Sequence, residues 1–269
     1  MRRSLPFFCR PWSCGLVLCL LWSVQSIAAA PQYWQDKRYI ERSFYDIALK
    51  AEYAEEKVRP VIKRWASPLR VWVYSSAGDE QTQRRLLRQH LQRLGDIARL
   101  PTRLVSQRKD ANVLVFFAAE RELSGLMRRE MPSLAQQKMP LSYCMGAIRY
   151  NDRAEIVHGT VVIPVERTEA EGKLEACIVE EVTQLLGLIN DSKFARHTVF
   201  SDLTENERLT GLDYLLIRLL YSSAIRPGMD LRQVMPRVRQ QLDVWEKTGL
   251  IRRAEHLVGR EFRIAAAGG

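Results

Sequence analysis

Histidine and cysteine, the side chains that hold most structural and catalytic zinc, are scarce in this chain: four histidines and five cysteines among 269 residues. Nothing in their spacing forms a metal-binding cysteine cluster. There is no glycine-rich phosphate loop and no Gly-x-Ser-x-Gly elbow, so the nucleotide-binding and serine-hydrolase signatures are missing. No apolar run reaches the roughly 20 residues of a spanning helix, which excludes a polytopic membrane protein. Internal repeats and low-complexity linkers are absent too. What is present is ordinary for a globular protein, 46% hydrophobic and 27% charged residues, which excludes a collagen-like fibre or a disordered tail. Acids fall short of bases, 31 against 41, for a formal charge of +10, so a basic surface is expected.

The N-terminus reads as an export signal. Arg2, Arg3 and Arg10 form a positive segment without an acid, Gly15–Val24 is an almost unbroken apolar run, and Ser26, Ala28, Ala29 and Ala30 are small residues suited to a cleavage site. Pro31 disfavours a cut directly after Ala30, because proline restrains the residue before it, so the cut point stays open. An uncleaved membrane anchor is the alternative. Arg2-Arg3 also hints at twin-arginine export, though the residues that follow fit poorly. Cys9, Cys14 and Cys19 lie in this segment without a small-residue lipidation box. Loss of residues 1–30 lowers the charge to +7 and leaves two cysteines, Cys144 and Cys177. In an exported chain such a pair is expected to form a disulfide, closing a loop of ~30 residues; two buried thiols are the competing reading. The expected location is periplasmic or secreted.

Hydrophobic periodicity predicts a helix over 36–65 with Pro60 kinking or ending it, a strand at Leu69–Tyr74, and a helix from Gly78-Asp79 to Ala98 whose outer face carries Arg84, Arg85, Arg88, Arg93 and Arg99. Strands follow at 102–106 and Val113–Phe117, the latter apolar at every position as in a strand buried on both faces. A short helix over 119–129 and a loop over 131–142 lead to strands at 144–149 and 154–165, joined at Asn151-Asp152. Helices are expected at 171–188, 210–221 and 231–247, and the terminal Ala-Ala-Ala-Gly-Gly should fray. The expectation is one α+β domain over 31–269, sheet in the first half and helices in the second.

The segment Cys177 to Asp191 is the most informative. Read as a helix, it places Ile178, Val182, Leu185 and Ile189 on an apolar stripe, with Glu180, Glu181 and Gln184 on one flank. Gly187 can end the helix, after which Asn190 and Asp191 project from a turn. The spacing resembles the zincin metallopeptidase helix His-Glu-x-x-His with its Gly-x-x-His/Asp extension. Glu180 stands at the first histidine, Glu181 at the general base, Gln184 at the second histidine, Gly187 at the glycine, and Asn190 at the third ligand with Asp191 beside it. Both helical histidines are missing. Taken alone, Glu-Glu-x-x-Gln is also common on solvated helix faces.

Together with Thr198-Val199-Phe200-Ser201-Asp202, Leu209-Thr210, Asp213, Leu220-Tyr221 and Arg226-Pro227-Gly228-Met229, this segment is similar to an uncharacterised family of exported bacterial domains thought to be zincin-like. The match covers about residues 140–230. It implies a zincin-like α+β fold and a ligand-poor site, and carries no established activity.

The donor set disfavours zinc, which takes imidazole or thiolate plus carboxylate. Oxygen donors from Glu180, Gln184, Asn190 and Asp191 suit calcium, magnesium or manganese better, and no cofactor is expected. His158 and His197 lack ligand spacing and read as ordinary surface or core residues. The expected function is therefore binding or envelope assembly by a catalytically degenerate zincin-like domain, with a protein or cell-envelope component as partner. The alternative is a metal-assisted hydrolase with Glu181 as general base and Glu180 and Asp191 as oxygen ligands. Nucleic acid is not expected in an exported chain without a nucleic-acid motif. The arginines between Arg84 and Arg108 could meet an anionic membrane surface, or simply form a solvated helix face.

Overall fold

A computed structural model describes residues 32–50, 60–136, 144–204 and 206–267 of the chain. The expected export segment, residues 51–59 of the first expected helix, residues 137–142 of the expected loop and the final two glycines lie outside the described residues.

Helix α1 (Lys37–Ala48) starts at Asp36, whose carboxylate accepts from the amides of Arg38 and Tyr39, the ordinary N-cap chemistry. It stops at Leu49, well before Pro60. The chain then runs through the short strand β1 (Arg64–Trp65) into β2 (Leu69–Ser75). Helix α2 (Glu80–Ala98), capped by Asp79 and ended by Arg99 in the left-handed region at φ 54°, returns it to β3 (Thr102–Leu104), parallel to β2. Strand β4 (Val113–Ala118), helices α3 (Leu123–Glu130) and α4 (Pro132–Gln136), strands β5 (Met145–Tyr150) and β6 (Glu155–Pro164) complete the first half. Helices α5 (Val165–Ala170), α6 (Leu174–Gln184), α7 (Gly211–Leu220), α8 (Leu231–Lys247) and α9 (Leu250–Ala267) follow.

The sheet order is β1-β6-β4-β2-β3, parallel throughout, and β5 pairs antiparallel with β6. This mixed sheet followed by helices is consistent with the expected α+β class. Strand β4 is buried at all six positions because both sheet faces are covered. Val113, Val115 and Phe117 join the larger core with α1, α2, α6, α7, α8 and α9. Leu114, Phe116 and Ala118 meet Leu123, Leu126 and Met127 of α3 on the other face. Alternation of side chains along a strand produces this division.

Three expectations need correction. Of the helix expected over 171–188 only Leu174–Gln184 is helical, as α6, with the short α5 already ended at Ala170; α6 ends at Gln184, so Ile189 does not continue its stripe. Arg93 is buried rather than on the outer face of α2, while Arg84 is held by Glu80 at 2.6 Å; Arg85, Arg88 and Arg99 remain exposed. The segment after 249 is helical to Ala267, with Ile251, Ala254 and Val258 buried. Among the described residues no helix is long and apolar enough to cross a membrane.

Candidate functional site

Helix α6 is positioned by contacts that its own sequence does not contain. Ile178, Val179 and Val182 enter the core. At its end, the Trp65 indole N–H donates to the Leu185 carbonyl at 2.7 Å and the Tyr221 hydroxyl donates to the Leu186 carbonyl at 2.9 Å. These are the orphan acceptors of a helix C-terminus. Gly187, at φ +112°, turns the chain away where the Lys63 carbonyl lies against it. At the other end, the Cys144–Cys177 disulfide, with Cα atoms 5.8 Å apart, ties α6 to the start of β5; the expected bridge is present.

The tie lays β5 along the flank that carries the glutamates. A Cβ added to Gly146 would stand 2.7 Å from Glu181 Oε2 and 3.8 Å from Gln184 Oε1. Glu181 is 6% exposed and its Oε2 has no hydrogen-bond partner. Burial, then the neighbouring Glu180 and Asp191, push its carboxyl well above the ordinary carboxylate range. Glu180 is half-buried, and burial followed by Asp191 and Asp202 raises it to about 7. The Gln184 amide donates to Asp191 Oδ1 at 3.0 Å. Glu180 also lines a cleft of about 280 Å³ with Cys177, Ser201 and Asn206.

Glu180, Glu181, Gln184 and Asp191 therefore meet, as their spacing predicts. Asn190 does not join them. Its side-chain amide donates to the carbonyls of Asp46, Ile47 and Lys50, and its backbone N–H donates to Ile47 at 3.2 Å. It is spent closing the C-terminal end of α1, so the ligand position assigned to it is corrected to a structural one. His197 stacks on Trp34 with ring centroids 4.9 Å apart and pairs with Glu255 at 2.9 Å. His158 lies beside Thr160 on β6. Among the described residues no group of three His, Cys, Asp or Glu side chains stands close enough to hold a metal ion.

The sequence reading missed two residues of this site. Gly146 sits inside a strand, a position where glycine marks a close approach, and that signal was available. His90 was not legible: it is buried on α2, with Nε2 3.0 Å from the Thr183 hydroxyl of α6. Burial, then the nearby Arg93, lowers it to about 3. Asp213 holds the loop before α7, accepting from Thr198, Val199 and Thr210, and burial raises it to about 6.

The raised Glu180 has a thermodynamic signature. A carboxyl whose folded pKa exceeds its unfolded value of 4.5 contributes stability that is complete below that value and is lost as pH rises through about 7. Glu180→Gln copies the neutral form. The variant should match the wild type near pH 5 and exceed it at pH 8, by at most roughly 3 kcal/mol. Thermal unfolding of both proteins across pH 4–8.5 checks this; a pH-independent difference would refute the assignment.

In comparison with protein families the chain matches the family described as a protein of unknown function, DUF2927, whose model covers residues 37–240. No curated protein and no solved structure matches the chain.

Proposed function

The chain belongs to the DUF2927 family of proteins of unknown function, and from that premise we propose that it is an exported, zincin-like domain whose motif helix has lost its metal chemistry. It acts as a scaffold that binds a partner protein or a cell-envelope component. The observation that carries this reading is the placement of Glu181: it is 6% exposed and lies directly beneath Gly146 of β5, with its carboxyl pushed above the ordinary range by burial. A general base must be ionised and within reach of the water it activates. Beneath β5 and 6% exposed, Glu181 lacks that reach, and Gln184 is engaged with Asp191. Export is supported by the Arg2, Arg3 and Arg10 segment, the apolar run after it, and the Cys144–Cys177 bridge, which suits an oxidising compartment.

The hydrolase reading draws on a different observation. Glu180 lines the 280 Å³ cleft and is raised to about 7, the range in which a carboxyl can exchange a proton at neutral pH. On that reading Glu180 and Asp191 would supply oxygen to a calcium, magnesium or manganese ion.

Elemental mass spectrometry of protein purified without chelators or a histidine tag separates the two. The scaffold reading expects no stoichiometric metal, and expects Glu181→Gln, an uncharged side chain of the same shape at a buried site that disfavours charge, to fold with an unchanged or raised Tm at pH 7. A stoichiometric divalent ion that disappears in Glu180→Ala or Asp191→Ala would overturn it in favour of the hydrolase.

A further inference from the structure

Helices α1 and α8 pack side by side and leave between them an open groove of about 780 Å³, within the size range of ligand-binding concavities. It shares no residue with the α6 site. Its floor is apolar: Tyr45 from α1, and Leu231, Met235 and Pro236 from α8. Leu231 is 40% exposed, although a leucine one turn from Met235 could have been sealed by a neighbouring helix. The rim is cationic, with Arg38 and Arg42 on α1 and Arg232 and Arg239 on α8 outnumbering one acid, Glu41.

Two of these arginines are already held in place. Arg239 pairs with Glu41 at 2.7 Å, and Glu41 is the single acid of the lining. Arg42 pairs with Asp46 at 3.2 Å and lies over the rings of Tyr45 and Phe194, at 5.9 and 5.5 Å. Among the described residues Arg38 and Arg232 have no acidic partner, so the groove they line presents positive charge beside exposed apolar surface. The helices that form it are fixed to each other by Lys37, which bridges Asp243 and Glu246 at 2.7 Å each. The concavity is thus built in advance of any occupant, which lowers the cost of binding.

We propose that this groove docks an acidic amphipathic peptide segment of a partner protein, apolar side chains on the Tyr45–Met235 floor and carboxylates on Arg38 and Arg232. Three features choose a peptide over a lipid surface. The face is concave where a bilayer contact would be flat. The composition, arginine with Tyr, Met and an exposed Leu and no lysine, is that of the energetic centre of protein interfaces. Arginine's planar fork also matches carboxylates two bonds at a time. Two helical rails flanking an apolar floor suit the helix-in-groove mode of recognition.

The test uses the full mature chain and fluorescein-labelled synthetic peptides followed by anisotropy. One peptide places leucines at helical spacing with glutamates between them; a second replaces every glutamate by lysine. The glutamate peptide should bind saturably at 50 mM salt, weaken at least tenfold at 500 mM as screening sets in, and weaken at least tenfold in Arg38→Glu/Arg232→Glu. The lysine peptide should not bind. Both arginines are on the surface, so the variant's Tm should equal that of the wild type. A more conservative Arg38→Gln/Arg232→Gln chain, losing affinity to a smaller degree, keeps the test valid should the reversal disturb folding. Equal binding of both peptides, no binding of either, or binding indifferent to the arginine variants would overturn the proposal. So would co-sedimentation with phosphatidylglycerol vesicles that depends on these arginines when the glutamate peptide does not bind.

Discussion

Replacing Gly187 by alanine is expected to cost more than about 4 kcal/mol, a large part of the stability of an ordinary domain. Two independent effects add at this position. Its φ of +112° is strained for any residue with a Cβ, and that Cβ would stand 2.0 Å from the Lys63 carbonyl oxygen, a backbone atom that cannot rotate away. Relief would require moving the segment that enters β1, and with it Trp65, whose indole closes the end of α6. Gly172→Ala provides the control. Its φ is also positive, +68°, but nothing lies within 4 Å of the added carbon, so strain of roughly 1–2 kcal/mol is the whole expected effect. Urea unfolding of both variants separates strain from collision. Equal losses would show that the approach of Lys63 to α6 is loose.

Removal of the disulfide should be nearly as costly. Cys144 and Cys177 are 33 residues apart, and closing a loop of that length restricts the unfolded chain by about 4 kcal/mol on the chain-entropy account. For a domain of this size the loss corresponds to a fall in Tm on the order of 10 °C. Cys144→Ser/Cys177→Ser, or the wild type with reductant, should show it. The loss has a local component as well: Cys177 lies one helical turn before Glu181, and the bridge brings β5 and Gly146 over that carboxyl. The reduced protein should therefore exchange the amides of β5 faster than those of β4. Oxidised and reduced proteins with the same Tm would mean that the bridge neither constrains the unfolded chain nor secures the strand.

The site's composition was legible because helical spacing is local. Glu180, Glu181 and Gln184 share a flank by periodicity alone, and Asp191 follows closely enough in the chain to meet Gln184. The chemical state of these groups was not legible. Whether Glu181 faces solvent or a strand depends on β5, which arrives from more than 30 residues earlier and is held there by the disulfide. Asn190 shows the same limit from the other side. Its position next to Asp191 pointed to a shared site, yet standing one residue earlier in the turn sufficed to send its amide to the carbonyls ending α1.

What the sequence by itself determined are the features set by neighbours in the chain. The continuous apolar run of β4, the turn at Asn151-Asp152 between β5 and β6, the opening of α2 at Asp79 and the period of α2 and α8 all follow from local pattern. Only the tertiary structure decided where α6 stops, because its last carbonyls are taken by Trp65 and Tyr221 from distant elements. It also decided that Arg93 is buried, and that α1 and α8 leave an arginine-rimmed groove. The physical reason is common to these cases. Backbone geometry and side-chain periodicity act over a few residues, whereas burial and the pKa shifts it causes depend on which distant surfaces the packed core brings into contact.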